Sequence, residues 1–406
     1  MTTVAHAPLH RRDRKSTPVS RRVPTRMVVT WGALFLNVLA FSTLPTVLPI
    51  PHSIGQLVTQ GSLILALLLA IAVNPRAMMR ANLFLVLLSM LGVVALMVSI
   101  HNEFFIGSTF RACRLIGFTL VLWLLTPWWG RSDMLLLRCH RRLLWIVLGS
   151  VFLGAAISPG LAFSFDGRLS GVLWPIPATQ VAHYAAVLFG TSVVLWGCRV
   201  ISGRHTLFAV VFSGVVLVAT HTRTALLAMM IGMVVAGASL FLGHARVRRV
   251  SIMGALSVVL FATLFASEIT TWALRGQSTQ EASQLTGRTK VWSAVFSTPR
   301  PKLNDLFGSG LSNMSFNGLP IDSNWVATYL DQGWFGLVVE ASILLVLLLM
   351  AATHVRGPQR AVALFLVVYC LVASITETGL GTASPYVLDL AVAASLLARP
   401  LRGRST

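Results

Sequence analysis

Apolar runs of about eighteen residues recur along the whole chain, and they constrain its fold more than any other feature. That is the length a helix needs to cross a hydrocarbon core roughly 30 Å thick. Lipid offers no hydrogen bonds, so a span of this kind must satisfy its own backbone and is helical. With 55% hydrophobic and 11% charged residues and a mean hydropathy of +0.78, an ordinary soluble globule is excluded. The expected fold is an all-α polytopic membrane protein. Spans are predicted over residues 27–45, 54–73, 81–100, 109–128, 143–159, 177–197, 206–219, 225–243, 251–267, 333–352, 360–376 and 385–399.

The net charge of +20 invites a nucleic-acid reading, which its distribution refuses. Of 32 Lys and Arg residues, 23 lie in the terminal tails or in alternate short connections. The tail over residues 1–26 carries Arg11, Arg12, Arg14, Lys15, Arg21, Arg22 and Arg26, suited to anionic lipid headgroups. Arg76 and Arg80, Arg131 to Arg142, Arg199 and Arg204, Arg246 to Arg249, Arg356 and Arg360, and the tail from Arg399 mark alternate connections. The intervening set carries Glu103, Asp166 and Glu377. By the positive-inside rule both termini are expected in the cytoplasm, in a plasma-membrane protein with no nucleic-acid partner.

One connection breaks the ladder. Residues 268–324 separate the spans within 27–267 from those within 325–399, ahead of a short tail at 400–406. The segment carries Arg275, Arg288, Lys290, Arg300 and Lys302 with Glu268, Glu281, Asp305 and Asp322. Long connections of this kind usually carry function, and the charge alternation places this one outside. Ser278 to Glu281 has capping-box spacing for one helix. A second is expected from Thr289 to Phe296, ended by Pro299 and Pro301.

Two other features fall at the same end. Thr220-His221-Thr222-Arg223-Thr224 joins two spans with almost no loop, which predicts a tight hinge holding Arg223 at the membrane edge. Gly171 to Pro177 cannot continue a regular helix, because Pro175 and Pro177 lack the N–H and clash with it. Irregular backbone is tolerated there only beside protein or water, so a cavity is expected.

Arg111 and Arg114 share a helix face at that end; they either snorkel to headgroups or bind an anion. With Arg168, Arg223 and Arg288 they suggest an anion with phosphate oxygens, which guanidinium groups grip bidentately. Asp322, Asp331 and Glu377 are carboxylates able to accept a hydroxyl proton, or else partners for the arginines. Glu340 and Asp389 lie deeper, as core partners or as parts of an ion pathway. His221 reads as structural. Cys113, Cys139, Cys198 and Cys370 show no metal-ligand spacing, so neither a metal nor a disulfide framework is expected.

As a set these residues resemble the O-antigen polymerase and ligase family. Thr222-Arg223-Thr224-Ala225-Leu226-Leu227 resembles its hinge, and Gly167-Arg168-Leu169-Ser170-Gly171 with Pro175 resembles its outer loop. Gly287-Arg288 with Trp292, Gly308 and Gly310 look like the start of its large loop. Asn324-Trp325 through Tyr329-Leu330, then Gly333 and Gly336, resemble the segment entering the next span. The resemblance implies a GT-C-like glycosyltransferase of about twelve transmembrane helices, with its large extracytoplasmic loop between spans 9 and 10. It implies action on polyprenyl-pyrophosphate-linked glycans without metal or cofactor. Arg223, Arg288, Asp322 and Glu377 would be catalytic, and Arg111, Arg114, Arg168 and Asn324 would bind pyrophosphate or substrate. Ligases of the family usually place His before that Asn; here Asp322-Ser323 stands there. The expectation is therefore a polysaccharide polymerase, with a ligase or a lipid-linked glycan flippase as alternatives. Its expected partners are lipid-linked donor and acceptor glycans, membrane lipids and other polysaccharide-assembly proteins.

Overall fold

The computed structural model describes residues 25–101, 105–241, 245–249, 288–312, 315–316 and 318–399, with scattered positions between 253 and 271. Most of the predicted span 251–267, the capping-box sequence Ser278 to Glu281, and both tails beyond these limits lie outside the described residues.

The described chain is mostly helical: α1 (Thr25–Val38), α2 (His52–Val73), α3 (Leu83–Ser99), α4 (Phe105–Leu125, then a 3-10 turn to Trp128), α5 (Leu135–Ile157), the short α6 (Pro159–Ala162), α7 (Ala178–Gly197), α8 (Gly203–Ala219), α9 (Arg223–Phe241), α10 (Arg288–Ser297), α11 (Lys302–Phe307), a hairpin of β1 (Ser315–Phe316) and β2 (Leu319–Pro320), α12 (Asn324–Thr353), α13 (Pro358–Ala373) and α14 (Pro385–Leu397). Six of them, α2, α4 with its 3-10 turn, α5, α7, α9 and α12, are long and apolar enough to cross a membrane. α3, α8, α13 and α14 are shorter apolar helices at predicted span positions.

The outward faces are apolar, as suits a lipid surround. Leu57, Ile64 and Leu68 of α2 and Leu207, Phe208 and Val215 of α8 are exposed. Inside, α13 buries every residue from Ala361 to Cys370 and α14 every residue from Val387 to Leu397. A helix apolar on all sides belongs at the centre of a bundle. α13 packs on α9, α14, α7 and α12. Phe365 is fully buried between two glycines that admit its ring, Gly190 of α7 and Gly232 of α9. Small residues at such contacts let membrane helices approach closely.

Two buried carboxylates lie in this core, Asp389 and Glu340. Asp389 approaches His140 Nε2 at 2.9 Å and His183 Nε2 at 3.2 Å, and His183 Nδ1 lies 3.2 Å from Tyr369 Oη. Glu340 accepts from Asn324 and Thr328. Both carboxylates therefore have buried polar partners, as charge inside a membrane requires.

The connections sort onto two ends, as their charge pattern predicts. Arg80 donates to the carbonyls of Trp129, at 2.9 Å, and Arg399. Gln359 donates to Arg131 O at 3.3 Å, and Arg246 lies 4.1 Å from the Trp196 ring centre. These contacts gather the basic connections at one end. There Asp133 pairs with Arg131 and Arg138, and the Arg131 hydrogen bond holds its carboxyl below the usual carboxylate range.

At the other end two boundaries differ from expectation. α1 stops at Val38 rather than near 45, and residues 39–51 run as irregular chain. Their backbone bonds to the predicted irregular stretch instead, Ser42 N to Pro175 O at 3.0 Å and Val47 N to Val172 O at 2.9 Å. α12 starts at Asn324, nine residues before the predicted 333, and kinks at Gly333. The predicted 289–296 helix is present as α10.

A Cβ on Gly190 would lie 2.0 Å from the Phe365 ring, whereas one on Gly149 would meet nothing within 4 Å. Gly190→Ala is predicted to cost about 1–3 kcal/mol by overpacking and Gly149→Ala almost nothing. Thermal unfolding of the two variants in detergent micelles checks this.

Candidate functional site

The site forms where the described half of the long connection meets the kink of α12. Gly333 has φ +64, and a Cβ there would lie 2.5 Å from Leu306 C and 2.6 Å from Gly308 N. Glycine at both positions lets the two backbones touch. Ser309 N then donates to Leu330 O at 3.0 Å, and Gly310 N to Asp331 O at 2.9 Å. The kink frees carbonyls of the preceding turn, and Arg300 takes them: Nη1 to Tyr329 O at 3.2 Å and Nη2 to Leu330 O at 2.8 Å. A cation is favoured at such a carbonyl terminus. Val295 of α10 joins Ile321, Val326 and Ala327 in a separate small core, so this half of the connection is packed against α12.

Asn324 fixes the start of α12. Its backbone N–H donates to Ser374 O at 3.0 Å. Its side-chain oxygen accepts from Gly379 N at 3.0 Å and Leu380 N at 2.7 Å. Its amide nitrogen donates to Glu340, which also accepts from Thr328 at 2.8 Å. The Asn324 side chain, an expected substrate contact, is engaged on both sides and ties α12 to the α13–α14 connection. Gln332 Nε2 extends the tie to Gly381 O at 3.1 Å.

Beside this network lies a narrow crevice lined by Leu311, Thr328, Asp331, Gln332 and Thr382. Asp331 Oδ1 and Gln332 Oε1 are buried there with no hydrogen-bond partner among the described residues. Buried acceptors without donors are costly, and the gap beside them, about 10 Å³, has room for about one water. Arg111 flanks the crevice: it donates to Leu311 O at 3.2 Å and lies close enough to Asp331 to act on its charge. The sequence showed Asp331 only as one outer carboxylate among several and gave no signal for Gln332, whose role depends on the kink.

The other expected site residues divide. Arg114 donates to Asn37 Oδ1 at 3.3 Å and to Asn37 O, closing the last turn of α1. Arg168 Nε donates to Thr220 O and Nη2 to Thr222 Oγ1, both at 3.0 Å, at the end of α8. Arg223 is half-buried and opens α9, so the predicted hinge is present. Thr224 Oγ1 and Thr376 Oγ1 are 2.6 Å apart, which sets the hinge against the turn carrying the half-buried Glu377. Asp322, also half-buried, stands two residues before Asn324 and so beside the same turn. Arg168, Arg223, Asp322, Asn324 and Glu377 thus share one contiguous set of connections. Arg111 joins Asp331 nearby, and Arg114 lies apart against α1. Arg288 opens α10, while its side chain lies outside the described residues.

No protein-family model and no curated protein matches this chain.

Two substitutions probe the geometry. Asn324→Asp keeps the acceptor for Gly379 and Leu380 but sets a second carboxylate against Glu340. It is predicted to destabilise by about 1–3 kcal/mol, read as a lower unfolding temperature than Asn324→Ser gives. Gly333→Ala should open the contact with Leu306 to Gly310, so limited proteolysis within residues 300–312 should accelerate while the helices stay resistant.

Proposed function

We propose that this chain is a polysaccharide polymerase of the O-antigen polymerase and ligase type. It would be GT-C-like, with about twelve spans and both termini cytoplasmic, in the plasma membrane. It transfers a glycan from a polyprenyl-pyrophosphate donor to a hydroxyl of another lipid-linked unit at the outer face. The observation that carries this reading is the Thr224–Thr376 contact. It sets Arg223, at the positive end of the α9 dipole, beside the turn of Glu377, so that cation and carboxylate serve one site.

In the reaction the acceptor oxygen bonds to the anomeric carbon as the bond to pyrophosphate breaks. The electron pair leaves with the pyrophosphate, whose charge Arg223 and Arg288 neutralise; positioned cations supply such stabilisation without reorganising. The hydroxyl proton passes to a carboxylate, Asp322 or Glu377. Asp331, with Arg111 beside it, is a further carboxylate bordering the site. Arg114, Arg168 and Asn324 act by fixing the helix ends that shape the site. Asp322-Ser323 before Asn324, in place of the His usual in ligases, favours polymerase over ligase.

Deletion of the gene followed by profiling of lipid-linked sugars tests the reading. Single repeat units should accumulate at the outer face, and Arg223→Ala should reproduce that pattern. Long chains persisting on the polyprenyl carrier would instead indicate a ligase, and single units held on the cytoplasmic side a flippase.

A further inference from the structure

A second cavity lies at the basic end, remote from the proposed reaction. It encloses about 630 Å³ between the start of α3 and the ends of α4, α12 and α14, a size typical of small-molecule sites. Arg80, His354 and Arg399 line it, and the Arg80 guanidinium is fixed there by the Trp129 and Arg399 carbonyls. Two further wall residues have unmet bonding capacity. Trp129 is 2% exposed; among the described residues its indole N–H has no partner, and Asn82 Oδ1 is a buried acceptor without a donor. The cavity is therefore a built polar site whose donors suit an anionic acceptor and whose Asn82 Oδ1 suits a hydroxyl.

Part of its wall is apolar, formed by Leu83, Val346, Met350 and Leu397. Next to these, Val86 on α3 and Leu345 and Leu349 on α12 are exposed, so an apolar track leads from the cavity along the lipid-facing surface. A cationic rim with an apolar track fits a phosphate group that carries acyl chains, and basic pockets between membrane helices suit such headgroups.

The geometry points to a binding site for an anionic phospholipid with a hydroxyl-bearing headgroup, in the leaflet at the basic end. The phosphate faces Arg80, Arg399 and the Trp129 N–H, the headgroup hydroxyl donates to Asn82 Oδ1, and an acyl chain follows Leu345 and Leu349. The site is independent of the glycan chemistry and would anchor α3, α4, α12 and α14 to one lipid.

The test uses the full-length protein in nonionic detergent, titrated with phosphatidylglycerol or with phosphatidylcholine of the same chains. Bound lipid is counted by native mass spectrometry. Phosphatidylglycerol should bind at least about tenfold more tightly, each removed cation being worth about fivefold. Arg399→Gln should weaken binding about fivefold. Thr353→Trp, which fills the cavity from an exposed position on the last turn of α12, should abolish it with helicity unchanged. Equal affinity for the two lipids, displacement of phosphatidylglycerol by inorganic phosphate alone, or full binding by both variants would overturn the assignment.

Discussion

Backbone carbonyls at interrupted helix ends are the constraint on which the non-basic end of this bundle depends. A helix leaves its last carbonyls without intrahelical partners, and at a membrane edge each unmet group costs several kcal/mol. Among the described residues three such places stand out, at the end of α1, at the α8–α9 hinge and at the Gly333 kink. Each is met by an arginine from elsewhere in the chain. Arg114 reaches Asn37, Arg168 reaches Thr220, and Arg300 reaches Tyr329 and Leu330. Guanidinium suits the task because it stays charged and presents several donors in a fixed fork. Gln180 and Trp174 assist at α1, donating to Val38 O and Ala40 O.

This divides the arginines that first suggested an anion site. Arg114 and Arg168 have a structural task whatever the ligand, and Arg300, which stood out only as one loop charge, has the same task. The interruptions they stabilise are what create a crevice at all: an uninterrupted α12 would carry Asp331 and Gln332 on a straight helix, away from Leu311 and Thr382. In the proposed reaction, substrate contact then falls to Arg223, Arg288 and the carboxylates, on a frame set by the capping arginines and by Asn324.

The sequence made one kind of information legible and hid another. Apolar length, charge alternation, the Arg223 hinge and the irregular Gly171–Pro177 stretch could be read because each depends on neighbours within a few residues. The helix over 289–296 was bounded by Pro299 and Pro301, again a local signal. The early end of α1 was hidden, because the residues that make it affordable, Arg114, Trp174 and Gln180, are distant in sequence. The start of α12 at Asn324 was hidden for a related reason: Gly333 looks like a helix breaker at a span boundary, whereas the contact with Leu306 and Gly308 lets two helical segments join across it. The roles of Asn324 and Glu340 likewise needed their fold partners.

Amide hydrogen exchange at single-segment resolution tests the capping account most directly, with Arg114→Ala, Arg168→Ala and Arg300→Ala compared against the unaltered protein. Each substitution should raise exchange only near its own interruption: residues 37–47, 219–226 and 329–333 respectively, with the basic end unchanged. Exchange that is unaltered in all three variants, or that rises uniformly along the chain, would contradict the claim that these arginines hold the interrupted helix ends.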